Sequence, residues 1–142
     1  MPRPYDTITL EDAKRMLSAA EAKAASLGIP YNLAVVDAGG HLVAFLRQDG
    51  ALIGSIDLAI HKAVTARIFD KTTSTLARLA QPGEPLFGIQ ESNFGKVVIF
   101  GGGVPVMFRG NIVGAVGASA GTVEQDIAVA EAAAAGLWFL LF

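Results

Sequence analysis

The last third of the chain, GGGVPVMFRGNIVGAVGASAGTVEQDIAVAEAAAAG from Gly101, restricts the fold more than any other stretch. Two apolar runs, Val104 to Phe108 and Ile112 to Ser119, flank Arg109, Gly110 and Asn111, a polar joint short enough to close a hairpin between paired strands. The helical repeat of Val123 to Leu141 begins almost at once, so a glycine-rich corner, Ala118 to Thr122, joins sheet to helix. Thr122 can cap that helix through its hydroxyl, and Gln125 three positions on completes a capping box. A concave site at this corner makes Gly121 and Thr122 candidate ligand contacts, with Gly102 and Gly103 at the start of the strand pair.

Upstream, Thr9 with Asp12 reads as a capped helix start, Thr7 being a competing cap. Leu10, Ala13, Leu17, Ala20, Ala24 and Leu27 recur in steps of three and four and predict its buried stripe, which Gly28 and Pro30 terminate. Tyr31 to Val36 and Leu42 to Leu46 read as a second hairpin, turned through Asp37 to His41. A second helix is predicted from Ser55 as cap, with Ile56, Ile60, Ala63, Val64 and Ile68 as its buried face. A short helix spans Thr73 to Gln81. The Pro- and Gly-rich segment Gln81 to Gly95 predicts an ordered loop whose Phe87 and Phe94 plug a pocket or a neighbouring subunit, and Val97 to Phe100 predicts a further strand.

Neighbouring strands joined by tight turns pair antiparallel, because parallel neighbours need long crossovers. The expected class is therefore α+β: a five-stranded antiparallel sheet flanked by helices, in one domain over residues 1–142. Hydrophobic residues make up 52% and charged ones 17%, more apolar surface than one small core hides, which points to contact with other copies of the chain in a homo-oligomer. A net charge of -2 offers no basic footprint for nucleic acid. Without cysteine there is neither a thiolate metal site nor a cysteine nucleophile, and two histidines with no third ligand at metal spacing predict no metal-ion site. The apolar tail 136–142 falls well short of the roughly 20 residues that span a bilayer, so a buried helix end or subunit contact is expected rather than a membrane anchor. With no signal-peptide core near Met1, the expected location is cytoplasmic.

Four motifs in succession, AVVDAGGHLVAF, DGALIGSIDLAIHKAVTA, FGKVVIFGGGVPV and VGAVGASAGTVEQD, resemble the GlcG/HbpS family, which also contains the C-terminal domain of PduO-type corrinoid adenosyltransferases. The resemblance covers nearly the whole chain from Thr9. It implies a profilin-like α+β fold, homo-oligomeric assembly, and haem or a related tetrapyrrole as the ligand of some members. Asp37, Gly39 and Gly40 fill the first motif; Asp49, Gly50, Ala51, Ser55, Asp57, Lys62 and Thr65 the second; Gly101 to Gly103 and Pro105 the third; Gly121, Thr122, Glu124, Gln125 and Asp126 the last. His41 and His61 stand beside these motifs.

Each candidate has a chemical and a structural reading. Glycines 101 to 103 and 121 let a ligand approach the backbone, or mark bulges and close packing. Neither glycine cluster is a phosphate fingerprint, and Glu124 and Asp126 in the first helical turn would repel an anion there. Those two carboxylates are a candidate acid/base pair, although residues two apart on a helix do not face one another. Asp57 and His61 are four apart and share a helix face, with Lys62 beside them for an acidic ligand group or an ion pair. A haem iron needs only one axial ligand, which His41 or His61 can supply.

Three functions are compatible with these residues. One is a small oligomeric binding protein whose pocket, lined by Gly39, Gly40, His41, His61, Lys62, Phe87, Phe94, Gly102, Gly103, Gly121 and Thr122, takes haem or another planar cofactor. The second is an enzyme acting on a small organic acid or ketone with Asp57, Lys62, Glu124 or Asp126 as acid/base groups. The third is an assembly module without a ligand.

Overall fold

The computed structural model describes residues 1–141, with side chains through Trp138; the side chains of the apolar tail from 139 onward, expected to pack or meet a subunit, lie outside the described residues. Helix α1 (Leu10–Leu27) begins at a reciprocal cap. The Thr9 hydroxyl accepts the Asp12 N–H at 3.2 Å and the Asp12 carboxylate accepts the Thr9 N–H at 2.9 Å. Its buried face is Ala13, Met16, Leu17, Ala20 and Ala24, while Leu10, placed on that stripe by the periodicity, is the first helical residue and is exposed.

Strands β1 (Asn32–Asp37), β2 (Leu42–Arg47), β3 (Gly103–Phe108) and β4 (Asn111–Ser119) form one antiparallel sheet in the order β2-β1-β4-β3. The β1–β2 turn is held by Asp37, whose carboxylate accepts the N–H groups of Gly39 and His41. Arg109 and Gly110 both take positive φ at the β3–β4 turn, as a two-residue hairpin loop requires. Among the described residues the sheet has four strands, not five. Val97 to Phe100 pairs with no strand, because the Val98 N–H donates to the Thr65 hydroxyl at 3.1 Å instead of to a ladder. The chain is thus stitched to a helix before it reaches the sheet edge.

Helices α2 (Gly54–Phe69) and α3 (Thr73–Leu79) follow the first hairpin, a distorted turn α4 (Ser92–Gly95) precedes β3, and α5 (Val123–Ala135) closes the chain before a tighter turn over Gly136–Leu141. The last helix therefore stops six residues before the expected Leu141. No helix among the described residues is long and apolar enough to cross a membrane.

Helices α1 and α5 cover one face of the sheet, packing Met16, Leu17, Val129 and Ala133 onto Leu33, Val35, Val116 and Ala118. Helix α2 covers the other through Ala59, Ala63 and Ala66 against Ala34, Val36 and Ala115. Central strand β1 is buried along nearly its whole length, as its unbroken apolar run requires.

The α2 face departs most from the hydrophobic pattern. Its buried residues are Ser55, Ala59, Lys62, Ala63, Thr65 and Ala66, whereas Ile56, Ile60 and Val64 are only half-buried and Ile68 is exposed. Backbone proximity accounts for this. A Cβ at Gly117 of β4 would collide with the Ala59 carbonyl and the Ala63 N–H, so helix and strand approach too closely for any but small side chains between them. Ser55 is correspondingly not the cap: it lies buried inside the first turn, and Ile53 precedes the helix without a side-chain cap. The branched residues turn outward, with Ile53 79% exposed.

Candidate functional site

Lys62 belongs to the small-residue face of α2, so the helix that must lie close to β4 also carries its ammonium inward. At 0% exposure, its Nζ donates to the Asp126 carboxylate at 2.9 Å and to the Ala118 carbonyl at 3.0 Å, and lies 4.9 Å from the centroid of the Phe100 ring. Glycines make the room. A Cβ on Gly102 would strike the Lys62 side chain and the Ala118 carbonyl, and one on Gly103 would strike the Lys62 carbonyl.

Asp126 comes from the first turn of α5, which the Thr122 and Gln125 capping box fixes against the end of β4. One carboxylate oxygen takes the lysine; the other accepts the Tyr31 hydroxyl at 2.9 Å and the N–H groups of Ala120 at 3.1 Å and Gly121 at 2.9 Å. Every strong donor around the carboxylate is thus used, which a buried charge requires. Burial pushes the Lys62 ammonium toward the neutral amine, and the hydrogen bond and charge of Asp126 oppose it. Burial, reinforced by Asp126, raises the Tyr31 phenol well above its ordinary value, so it remains a donor. The network ties α2, on one face of the sheet, to α5 on the other.

Phe100 also lines a cavity of about 360 Å³, bounded by Asp57, Leu58 and His61 of α2 and by the irregular segment Gly95 to Phe100. The His61 Nδ1 is 3.0 Å from an Asp57 carboxylate oxygen; the carboxylate is solvent-exposed and the imidazole largely buried. Phe100 therefore belongs to both surroundings: it lines the cavity with His61, and its ring centroid is 4.9 Å from the Lys62 ammonium.

The structure divides the sequence candidates into separate places. Lys62, Asp126, Gly102, Gly103 and Gly121 meet at the buried corner, where Thr122 acts as the exposed helix cap. Glu124 stays on the surface, so the two first-turn carboxylates do not form a pair. Asp57 and His61 share the cavity. Gly39, Gly40 and His41 lie at the β1–β2 turn beside Ile68 and Arg67, away from the cavity lining. Phe87 is exposed and Phe94 is 98% exposed, and neither lines the cavity; left-handed backbone at Asn93 and Phe94 holds the loop outward. Tyr31 and Phe100 were not singled out by sequence. A phenol at the start of a fully buried strand needs a partner, which was a legible signal for Tyr31; the irregular course that brings Phe100 over Lys62 left none.

A family model described as Haem degrading protein HbpS-like matches residues 8–135. An uncharacterized 15.0 kDa protein from the dhaT-dhaS intergenic region of Citrobacter freundii is 46% identical over 127 residues, covering 89% of each chain. The corrinoid adenosyltransferase PduO of the same organism is 36% identical over 134 residues, 94% of this chain but only 40% of that longer protein. Among solved structures, Klebsiella pneumoniae protein ORFY superposes with a TM-score of 0.95 at 38% identity, covering 97% of this chain and 95% of the other. The PduOC:heme complex superposes with a TM-score of 0.88 at 36% identity, covering 92% and 94%.

Proposed function

The chain belongs to the HbpS-like family, and on that premise we propose that it is a small homo-oligomeric binding protein for haem or a related tetrapyrrole. The observation that carries this reading is the His61 imidazole on the wall of the 360 Å³ cavity, with the Asp57 carboxylate 3.0 Å from its Nδ1. A carboxylate beside Nδ1 favours the proton there and leaves the Nε2 lone pair for a metal, the usual outer shell of a metal-bound imidazole. Leu58, Val97, Val98, Ile99 and Phe100 offer apolar surface to the edge of a macrocycle, and Lys96 at the rim offers a cation for a propionate. These residues fit a haem, and His61 is the residue that would hold its iron.

A bound haem would supply Lewis-acid or redox chemistry toward a small ligand, with His61 and Lys96 as the residues that would hold it. The chain contributes orientation through Asp57, water exclusion through the aliphatic wall and an anchoring charge through Lys96. A cavity of 360 Å³ is at the small end for ligand sites, so one subunit covers a planar macrocycle only in part. The outward aliphatic residues Ile53, just before α2, and Ile68, on the helix that carries His61, are exposed and support a second copy as the remaining cover. A complex with haem among the related structures supports the same ligand class.

A native mass spectrum of protein mixed with hemin tests both parts together. The expected result is an oligomer that retains hemin in a fixed ratio to subunits. Monomers that retain none would contradict the proposal.

A further inference from the structure

A second cavity, of about 260 Å³, opens at the start of α1 and shares no lining residue with the one that carries His61. We propose that it binds an apolar α-amino acid as the zwitterion, with the ligand's side chain in the cavity, its carboxylate on Arg15 and its ammonium on Asp6. The proposal does not rest on tetrapyrrole binding.

The floor is apolar. Ile8, Val113 and Leu137 are buried and line the cavity together with the half-buried Phe108. The volume lies below the roughly 300–1,000 Å³ usual for drug-sized ligands, which suits a molecule the size of leucine. The segment leading into α1 is anchored across the sheet: the Ile8 N–H donates to the Val113 carbonyl at 3.0 Å, and the Thr7 hydroxyl accepts the Ala38 N–H at 2.9 Å. Asp6, the next residue outward, is thereby carried to the cavity while remaining exposed.

The polar groups select the ligand's charges. The Arg15 guanidinium donates through Nη2 to one oxygen of Asp12, whose other oxygen accepts the Thr9 N–H, so Asp12 is fully engaged. The Nε of Arg15 is different: it is buried and has no hydrogen-bond partner among the described residues. A buried N–H without an acceptor is costly, and a ligand oxygen placed on it removes that cost. Asp6 in turn has no ion-pair partner among the described residues. One unmatched donor on a cation and one unmatched carboxylate thus border the same apolar space. A simple carboxylic acid entering as its anion would meet the charges of Asp6 and Asp12, and a simple amine would leave the Arg15 Nε unmatched. An apolar α-amino acid supplies both complements with no net charge, as a guanidinium and a carboxylate at one site require.

Calorimetric titration of the full chain with L-leucine, without haem, tests this. Trp138 gives the location, because the chain's one tryptophan stacks on Phe108 with ring centroids 5.4 Å apart. The expected result is saturable heat accompanied by a change in tryptophan fluorescence. Glycine, which lacks the tail, 4-methylpentanoate, which lacks the ammonium, and 3-methylbutylamine, which lacks the carboxylate, are each expected to bind more weakly. Asp6→Asn, at an exposed position, is expected to weaken leucine binding about fivefold, the scale of an exposed charge contact. Arg15→Met, which keeps the aliphatic stem, is expected to weaken it further. No saturable binding of leucine to the wild type overturns the proposal. Equal affinity for leucine and any of the three truncated probes, or leucine affinity unchanged in either variant, also overturns it.

Discussion

An ammonium taken out of water keeps its charge only while its partner stays in place, and in this chain Lys62 and Asp126 hold one another across the end of the sheet. Asp126→Asn leaves the cation uncompensated and is expected to cost about 3–5 kcal/mol in urea unfolding. Lys62→Met added to that variant is expected to recover part of the loss, since the stranded charge is then gone. Tyr31 gives a pH signature. Its proton is held more tightly in the folded chain than in the unfolded one, so the folded state binds more protons above the ordinary phenol value of about 10. Stability from this group is complete below that pH and is lost as pH rises through the raised folded value. Tyr31→Phe is therefore expected to unfold at a lower denaturant concentration near neutrality yet to lose less stability than wild type above about pH 10. Comparing the two proteins cancels the titration of other groups. At this scale the sequence was partly legible: a lysine among Ala59, Ala63, Thr65 and Ala66 is conspicuous on a helix, but its partner lies 64 positions away and no local pattern joins them.

Elements whose ends are set by neighbouring residues were legible. The Thr9 cap, the Gly28 stop, both hairpin turns and the Thr122 box all use hydrogen bonds or backbone angles within a few positions. Those governed by distant contacts were not. Val97 to Phe100 has the composition of a strand, yet its backbone is claimed by Thr65, and α2 buries alanines rather than isoleucines because Gly117 brings β4 against its backbone. Hydropathy ranks side chains by their aversion to water and says nothing about how close two backbones come. Gly117→Val inserts a branched side chain where even a methyl collides, and it is expected to lower stability by about 1–3 kcal/mol or more in thermal or urea unfolding. The same insertion would displace Lys62 and should weaken the α2 to α5 tie with it.

For the molecule as a whole, apolar content was the informative quantity. It foretold surface beyond what one core absorbs, and the fold places part of that surplus outward at Ile53, just before α2, and at Ile68 on it, both exposed. Ile53→Asp combined with Ile68→Asp is expected to shift the species seen by light scattering toward monomer while leaving the helical circular dichroism unchanged, because neither side chain contributes to the core. The α+β class was readable from hairpin spacing, whereas the gathering of the site was not: glycines and histidines that looked alike in sequence fall at a turn, a cavity and a buried corner. Of the two histidines, His61 lines the cavity and His41 lies at the β1–β2 turn. Hemin titration followed at the Soret band in wild type, His61→Ala and His41→Ala isolates that difference: the account predicts a saturable shift in wild type and His41→Ala that His61→Ala abolishes, and an unchanged shift in His61→Ala would contradict it.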